Sequence, residues 1–222
     1  MKKLYNLFFI ITLIFTLSYL TGCSNKSEIE IIEKNYSISP DKISQLNLTL
    51  KNKNMTISES KDGNININYY ETSKEFYSIE TNEENALFIK TLNNKDISDY
   101  FGINISNNNS IEIELPNNLN IPINISNSNN NVIISNMNFS SLNIDINNGN
   151  IFLEDISINN DLTLNSKNGN IDATLIGSYE DFSITSKASK GKNNLPESKP
   201  NGSINLNVNS NNGNINIDFK SN

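Results

Sequence analysis

Asn148-Gly149-Asn150-Ile151 returns as Asn168-Gly169-Asn170-Ile171 and again as Asn212-Gly213-Asn214-Ile215, each copy flanked by alternating apolar and polar residues. A weaker echo, Asp62-Gly63-Asn64-Ile65, stands earlier in the chain. Asn-Gly marks a turn, because both residues tolerate backbone conformations that other L-residues resist. The Ile that follows opens a run of period two, the mark of a half-buried strand. Aligning Asn130-Asn131-Val132 with Gly149-Asn150-Ile151, and that with Gly169-Asn170-Ile171, gives steps of 19 and 20 residues. The copy at Gly213 lies 44 residues further on. That gap reads as two periods plus an insertion, supplied by the Ser/Lys/Asn/Pro-rich stretch 186–202.

A step near 20 residues suits one coil of a β-solenoid, or β-helix-like stack, in which short strands alternate with corners. The alternative is an antiparallel β-sandwich, since Asn-Gly between alternating strands is also a strong hairpin signal. Recurrence at one phase favours stacked coils, because stacking sets like upon like. Period-two runs fill the rest of the chain as well. They include Leu46, Leu48 and Leu50, then Ile65, Ile67 and Tyr69, then Ile103 and Ile105, then Ile111, Ile113 and Leu115. Ile121, Ile123 and Ile125 follow, with Leu142, Ile144 and Ile146, Leu162 and Leu164, and Ile204, Leu206 and Val208. No segment beyond the N-terminus keeps a helical period for three turns; the nearest, 83–90, fits a strand equally. The class is all-β.

The N-terminus reads differently. Lys2 and Lys3 precede an almost continuously apolar run, Leu4 to Leu20, and Leu20-Thr21-Gly22-Cys23 ends it. That order describes an export signal, and its ending closely resembles the lipobox of bacterial lipoproteins. The resemblance implies a signal peptide over 1–22, diacylglycerol on the Cys23 thiol, and cleavage that leaves Cys23 as the new N-terminus. Two acyl chains hold stably where one binds reversibly, at about 0.8 kcal/mol per buried methylene. Residues 23–39 then form the lipidated Cys and a polar tether, and 40–222 the β-repeat domain with its polar insertion at 186–202. The expected location is the outer face of the cell membrane.

Composition narrows the chemistry. Hydrophobic residues make up 36% of 222 residues, which suits one thin β-domain with a narrow core. Asn is about a fifth of the chain, every basic residue is Lys, and Arg and Trp are absent. Codon bias explains most of that pattern; stacked Asn ladders at the corners explain the rest. Taking the two charges of Lys2 and Lys3 from the formal −7 leaves −9, which disfavours nucleic acid and favours cationic partners at low salt. His is absent and Cys23 is the single Cys, so the usual general base, zinc ligands and thiol nucleophile are missing once Cys23 is lipidated.

Four groups bear on the chemistry. Glu154-Asp155, and Glu180-Asp181 with Asp172, could serve sugar hydrolysis if held in pairs, but adjacent strand residues point to opposite faces. Ser186-Lys187 and Ser189-Lys190 lack a Gly-rich oxyanion loop, so a Ser/Lys dyad is not expected. Tyr69, Tyr70, Phe76 and Tyr77 form the aromatic cluster, read as core or edge packing before a ligand patch. Calcium at Asn/Asp corners lacks the acidic repeat it would need. No catalytic, cofactor or metal residue is assigned; Cys23 is the one modification site.

With these motifs the chain resembles the bacterial DUF4097 family, a group of candidate adhesins built from repeated β-strands. Leu46-Asn47-Leu48, Met55-Thr56-Ile57 and Asn64-Ile65-Asn66-Ile67 are similar to its opening strands, and Ile111-Glu112-Ile113-Glu114-Leu115-Pro116 to the strand before its repeats. The Asn-Gly-Asn-Ile copies match its Gly-containing repeat, and 211–219 its closing strand. This chain departs in placing Asn after each Gly where Asp is common, and in the insertion at 186–202. The resemblance implies a surface protein and carries over no catalytic residue. The expected function is a non-enzymatic, membrane-anchored surface lipoprotein for adhesion or envelope contacts. The alternatives are an envelope-stress accessory that binds cationic peptides and, behind it, a polysaccharide-active enzyme.

Overall fold

Among the described residues, sixteen strands carry the alternating pattern into a flattened coil. The computed structural model describes residues 30–94, 109–117 and 119–221. Cys23 with the signal segment, and the strand expected at Ile103 and Ile105, lie outside the described residues. In chain order the strands open with β1 (Ile32–Ile38), β2 (Gln45–Leu50), β3 (Asn54–Glu59), β4 (Ile65–Glu71) and β5 (Glu75–Thr81). Next come β6 (Ala86–Asn93), β7 (Ser110–Leu115), β8 (Pro122–Asn129), β9 (Val132–Ser135) and β10 (Asn138–Asn148). The last are β11 (Ile151–Asn168), β12 (Ile171–Ile176), β13 (Phe182–Ala188), β14 (Ser198–Lys199), β15 (Ile204–Asn212) and β16 (Ile215–Lys220). The expected tether therefore contributes β1, and the 83–90 segment ends in β6 with no helix.

The chain winds between two facing ladders. Sheet A runs β1-β4-β7-β3-β9-β11-β12-β16, and sheet B runs β5-β6-β2-β8-β10-β11-β15-β13-β14. Strand β11 serves both: Ile151–Ile156 pair in sheet A and Ser157–Asn168 in sheet B. It bends at Asp155, whose φ is 52°, and Asn136 makes the equivalent bend one coil earlier at φ 56°. From β8 to β13 and β16 the repeat ladders are parallel, as in a solenoid and unlike hairpins. Antiparallel pairs occur towards the ends, at β1/β4, β4/β7, β5/β6 and β13/β14.

Register places like on like. Met55, Val132, Ile151, Ile171 and Ile215 form one inward column of sheet A, all at most 2% exposed. Leu46, Ile123, Leu142, Leu162 and Leu206 form its counterpart in sheet B. Between the sheets these columns make one apolar core. Each side chain fully buried there contributes about 1.5–3 kcal/mol relative to exposure. The outward positions of the same strands are mostly polar, with Ile133 and Phe152 the large, exposed apolar exceptions.

The Asn-Gly motif forms the corner leading from sheet B to sheet A. A Cβ on Gly169 would stand 1.8 Å from the Gly149 carbonyl oxygen, and one on Gly213 would stand 2.0 Å from that of Gly169. Only glycine fits so tight a stack. Around it run two Asn ladders. In the first, the Asn212, Asn168 and Asn148 amides donate to Asn168, Asn148 and Asn129 at 2.6, 2.7 and 2.8 Å, and Asn129 donates to Asn52. In the second, the Oδ1 atoms of Asn54, Asn131, Asn150 and Asn170 accept from the backbone N–H of Asn131, Asn150, Asn170 and Asn214 at 2.8–3.3 Å. Every amide points the same way along the stack. The Asn excess thus has a structural use at this corner.

The 44-residue gap has a different cause from the two periods expected. Asp161 pairs directly with Asn205, and Ile171 with Ile215, so the Gly213 copy is the next rung after Gly169. The chain first lays down β13 one rung further out, turns through 189–203, and then inserts β15 between β11 and β13. Strand β7 is inserted likewise between β3 and β4. The polar stretch 186–202 is an ordered end-cover. Gly191 stacks on Gly213, Lys192 N–H donates to Asn214 Oδ1 at 2.9 Å, and Leu195 is buried. Asn194 closes the edge of β16: its amide donates to Ile217 O and accepts from Ile217 N–H, both at 2.9 Å. That side chain stands where a neighbouring peptide group would, which blunts an exposed edge.

Candidate functional surfaces

The fold splits each carboxylate doublet, but it brings Glu154 and Asp172 to one outward depression on sheet A. Glu154 faces outward from sheet A, whereas Asp155 occupies the corner and ion-pairs with Lys220 at 2.6 Å. Glu180 pairs with Lys199 at 3.2 Å. Asp181 accepts from Ser178 N–H at 2.8 Å, within a capping box over the short 3-10 turn Tyr179–Asp181. Asp172 is the second residue of β12, while the Glu180-Asp181 doublet follows that strand's end. Among the described residues no group of three or more His, Cys, Asp or Glu is placed to hold a metal ion.

The Ser/Lys pairs are divided by strand alternation. Ser186 points inward, 2% exposed, and its hydroxyl donates to Pro196 O at 2.7 Å and accepts from Asn193 at 2.8 Å. Lys187 points outward. Ser189 is tied through its backbone N–H to Ser210 O at 2.9 Å. The Ser186 hydroxyl thus holds the end-cover.

The aromatic cluster builds the other end of the core around a residue that sequence reasoning missed. Lys53 is 1% exposed, ion-pairs with Glu75, and lies 5.7 Å from the centre of the Tyr77 ring. Tyr77 packs against Tyr69 at 4.7 Å, and its backbone N–H donates to Glu71 Oε1 at 2.9 Å. Its buried hydroxyl has no hydrogen-bond partner among the described residues. Burial, with the Glu75 and Glu71 carboxylates adding to it, pushes the Tyr77 phenol well above its ordinary value. In sequence, Lys53 sits in Lys51-Asn52-Lys53-Asn54 and looks like a solvated turn. Only its distant partner Glu75 gives it a reason to be buried.

What remains outward are two unlike faces. On sheet B, amides and hydroxyls form rungs: Asn143 donates to Asn124 at 3.5 Å and Asn124 to Asn47 at 3.1 Å. Further along, Asn205 donates to Asp161 at 2.8 Å and Asn209 to Asn165 at 3.1 Å. A shallow depression of about 350 Å³ lies across this face beside Lys167 and Lys187. On sheet A, Ile133 and Phe152 are register neighbours, 40% and 36% exposed. Glu154, Asp172 and Asp218 join them in lining a depression of about 270 Å³. Among the described residues no helix is long and apolar enough to cross a membrane.

Comparison with known proteins gives the fold a family. The family model described as Toastrack DUF4097 matches residues 43–222. No curated protein matches the chain. Among solved structures it is similar to a candidate cell adhesion protein from Clostridium sporogenes ATCC 15579. The two are 17% identical, with 86% of this chain and 100% of that chain covered and a TM-score of 0.62. A candidate adhesin from Bacteroides fragilis NCTC 9343 is 15% identical over 85% of this chain and 97% of that chain, with a TM-score of 0.45. At such identities the likeness concerns the fold alone.

Proposed function

Because the chain belongs to the Toastrack DUF4097 family, we propose that it is a non-enzymatic binding protein, lipid-anchored through Cys23 on the outer face of the cell membrane. One observation carries the reading: the sequence spends its repeats on two long, rigid outward faces. Asp155, Glu180, Asp181 and the Ser186 hydroxyl are engaged in corners and caps, while Glu154 and Asp172 face outward beside the exposed Ile133 and Phe152. A stack fixed by backbone ladders presents side chains at regular intervals with little entropy to lose on contact, which suits adhesion or contacts within the envelope. The solved structures described as candidate adhesins agree with this at the level of fold.

Two measurements test it. Replacing Cys23 by Ser in the full chain should shift the protein out of the membrane fraction or leave an unprocessed precursor. Normal processing with unchanged membrane retention would overturn the anchor. For binding, cells displaying the anchored protein should adhere to host or envelope material more than cells lacking it, and equal adhesion would count against the reading. An enzyme acting on polysaccharide would instead show turnover that disappears on replacing Asp172 or Glu154. The acidic charge also supports a role as an envelope-stress accessory. That reading requires a membrane partner, sought by cross-linking the anchored protein in cells.

A further inference from the structure

The outward side of sheet A carries an apolar pair where every neighbouring position is polar. Ile133 and Phe152 stand side by side in register at 40% and 36% exposure, in the middle of the sheet and away from its edges. The same row continues through Asp172 to Asn216. The next row out holds Ser135 beside Glu154 and Thr174 beside Asp218. Neighbouring strands lie about 4.8 Å apart and alternate residues on one strand about 6.8 Å apart. Asp172 is thus one rung from Phe152, and Glu154 one outward position along the same strand. Among the described residues no lysine lines this depression, and Lys220 beyond it is taken by Asp155 at 2.6 Å.

We propose that this face docks an extended peptide segment that places an apolar side chain between lysines or arginines. It rests on the reading of the chain as a binding protein and names the class of partner. The argument is complementarity of both kinds. The apolar side chain removes Ile133 and Phe152 from water. The flanking cations meet Glu154, one outward position along the strand from Phe152, and Asp172, one rung across from it, with Asp218 beyond. An extended peptide shows alternate residues on one side at the same spacing of about 6.8 Å that separates Phe152 from Glu154 along β11. A second copy of this chain is a poor occupant, because the same carboxylates would face one another.

The test uses a synthetic peptide that repeats Lys-Ser-Leu-Ser-Lys, titrated against the mature protein in low salt by fluorescence anisotropy. One control replaces Leu by Ser and keeps the charge; another replaces Lys by Glu. The parent peptide should bind, weaken as salt is raised, and exceed both controls by about tenfold, equivalent to about 1.4 kcal/mol. Phe152→Ser and the pair Asp172→Asn with Asp218→Asn should each remove about that factor. Asp145→Asn, on sheet B, should leave binding unchanged. Each variant changes an outward residue, and circular dichroism confirms that the fold is kept. Equal binding of the Leu-free peptide, or indifference to Phe152→Ser, would overturn the proposal in favour of plain charge attraction. Absence of peptide binding would also overturn it, while the adhesion measurement decides separately whether the protein binds surfaces at all.

Discussion

Gly169→Ala isolates the contact on which the stack depends. The backbone φ of Gly169 lies outside the left-handed region, so alanine meets no conformational barrier there. On chain entropy alone the change would stabilise by about 0.4–1 kcal/mol. The added Cβ, however, falls 1.8 Å from the Gly149 oxygen and 2.5 Å from its carbonyl carbon. A carbon and a carbonyl oxygen need about 3.3 Å, so the two rungs must part by well over an ångström at this corner. The bonds at risk are Gly149 N–H to Asn168 O at 3.0 Å, Gly169 N–H to Asn212 O at 3.1 Å, and the Asn168–Asn148 rung at 2.7 Å. Overpacking costs about 1–3 kcal/mol and each lost bond about 1 kcal/mol net, so a loss of roughly 3–5 kcal/mol is expected. In urea, with a slope of about 2 kcal/mol/M, the midpoint should fall by roughly 2 M. Gly63→Ala is the control: its φ is 75° but nothing lies within 4 Å of the added carbon, so only the left-handed penalty of about 1 kcal/mol applies. A Gly169→Ala midpoint no lower than that of Gly63→Ala would refute the steric argument.

Three further outcomes follow from the same geometry. Lys53→Met should destabilise by about 3–5 kcal/mol by breaking the buried Lys53–Glu75 ion pair. Adding Glu75→Gln should recover much of it, a coupling that a double-mutant cycle in urea measures. Tyr77→Phe removes a buried hydroxyl without a partner among the described residues and should leave stability at neutral pH unchanged or slightly raised. Because the folded state raises this phenol's pKa, the stability it contributes is fully present below the ordinary value near 10 and is lost as pH rises above it. Thermal melts between neutral and strongly alkaline pH should therefore show a shallower alkaline decline in Tyr77→Phe. Asn168→Asp removes the donor to Asn148 and sets two oxygens facing each other. A loss of about 1 kcal/mol at pH 7, partly restored once acid protonates the new carboxyl, would support the ladder, and a neutral effect would argue against it.

Local features were readable from the sequence and long-range ones were not. Alternation around Ile144 and Leu164 depends only on which face each residue takes, so inward columns and corners followed from it directly. The steps of 19 and 20 residues became the register pairs Val132–Ile151 and Ile151–Ile171. Strand order is another matter. Nothing in 204–212 says that β15 lies between β11 and β13, because an inserted strand has the same pattern as an added one. Gly191 was hidden for the same reason: Ser189-Lys190-Gly191-Lys192 looks like linker, yet it stacks on Gly213. The exposed pair Ile133 and Phe152 left a faint trace, two apolar residues at positions where alternation calls for polar ones. Lys53 left none, since its burial depends on Glu75 arriving from two strands away.

The inserted strand changes how the stack should come apart. In a simple solenoid each rung touches only its neighbours, so stability is close to a one-dimensional sum, and losing the last coil leaves the remainder nearly intact. Here β15 is, among the described residues, the only sheet-B link between β11 and β13, and β16 covers the edge of β12. Removing 204–220 would expose two rungs at once and leave 182–203 with no ladder to join. The end of the stack therefore melts as a single cooperative block. It acts as a latch that stays open until its last segment arrives and then closes both neighbouring rungs together.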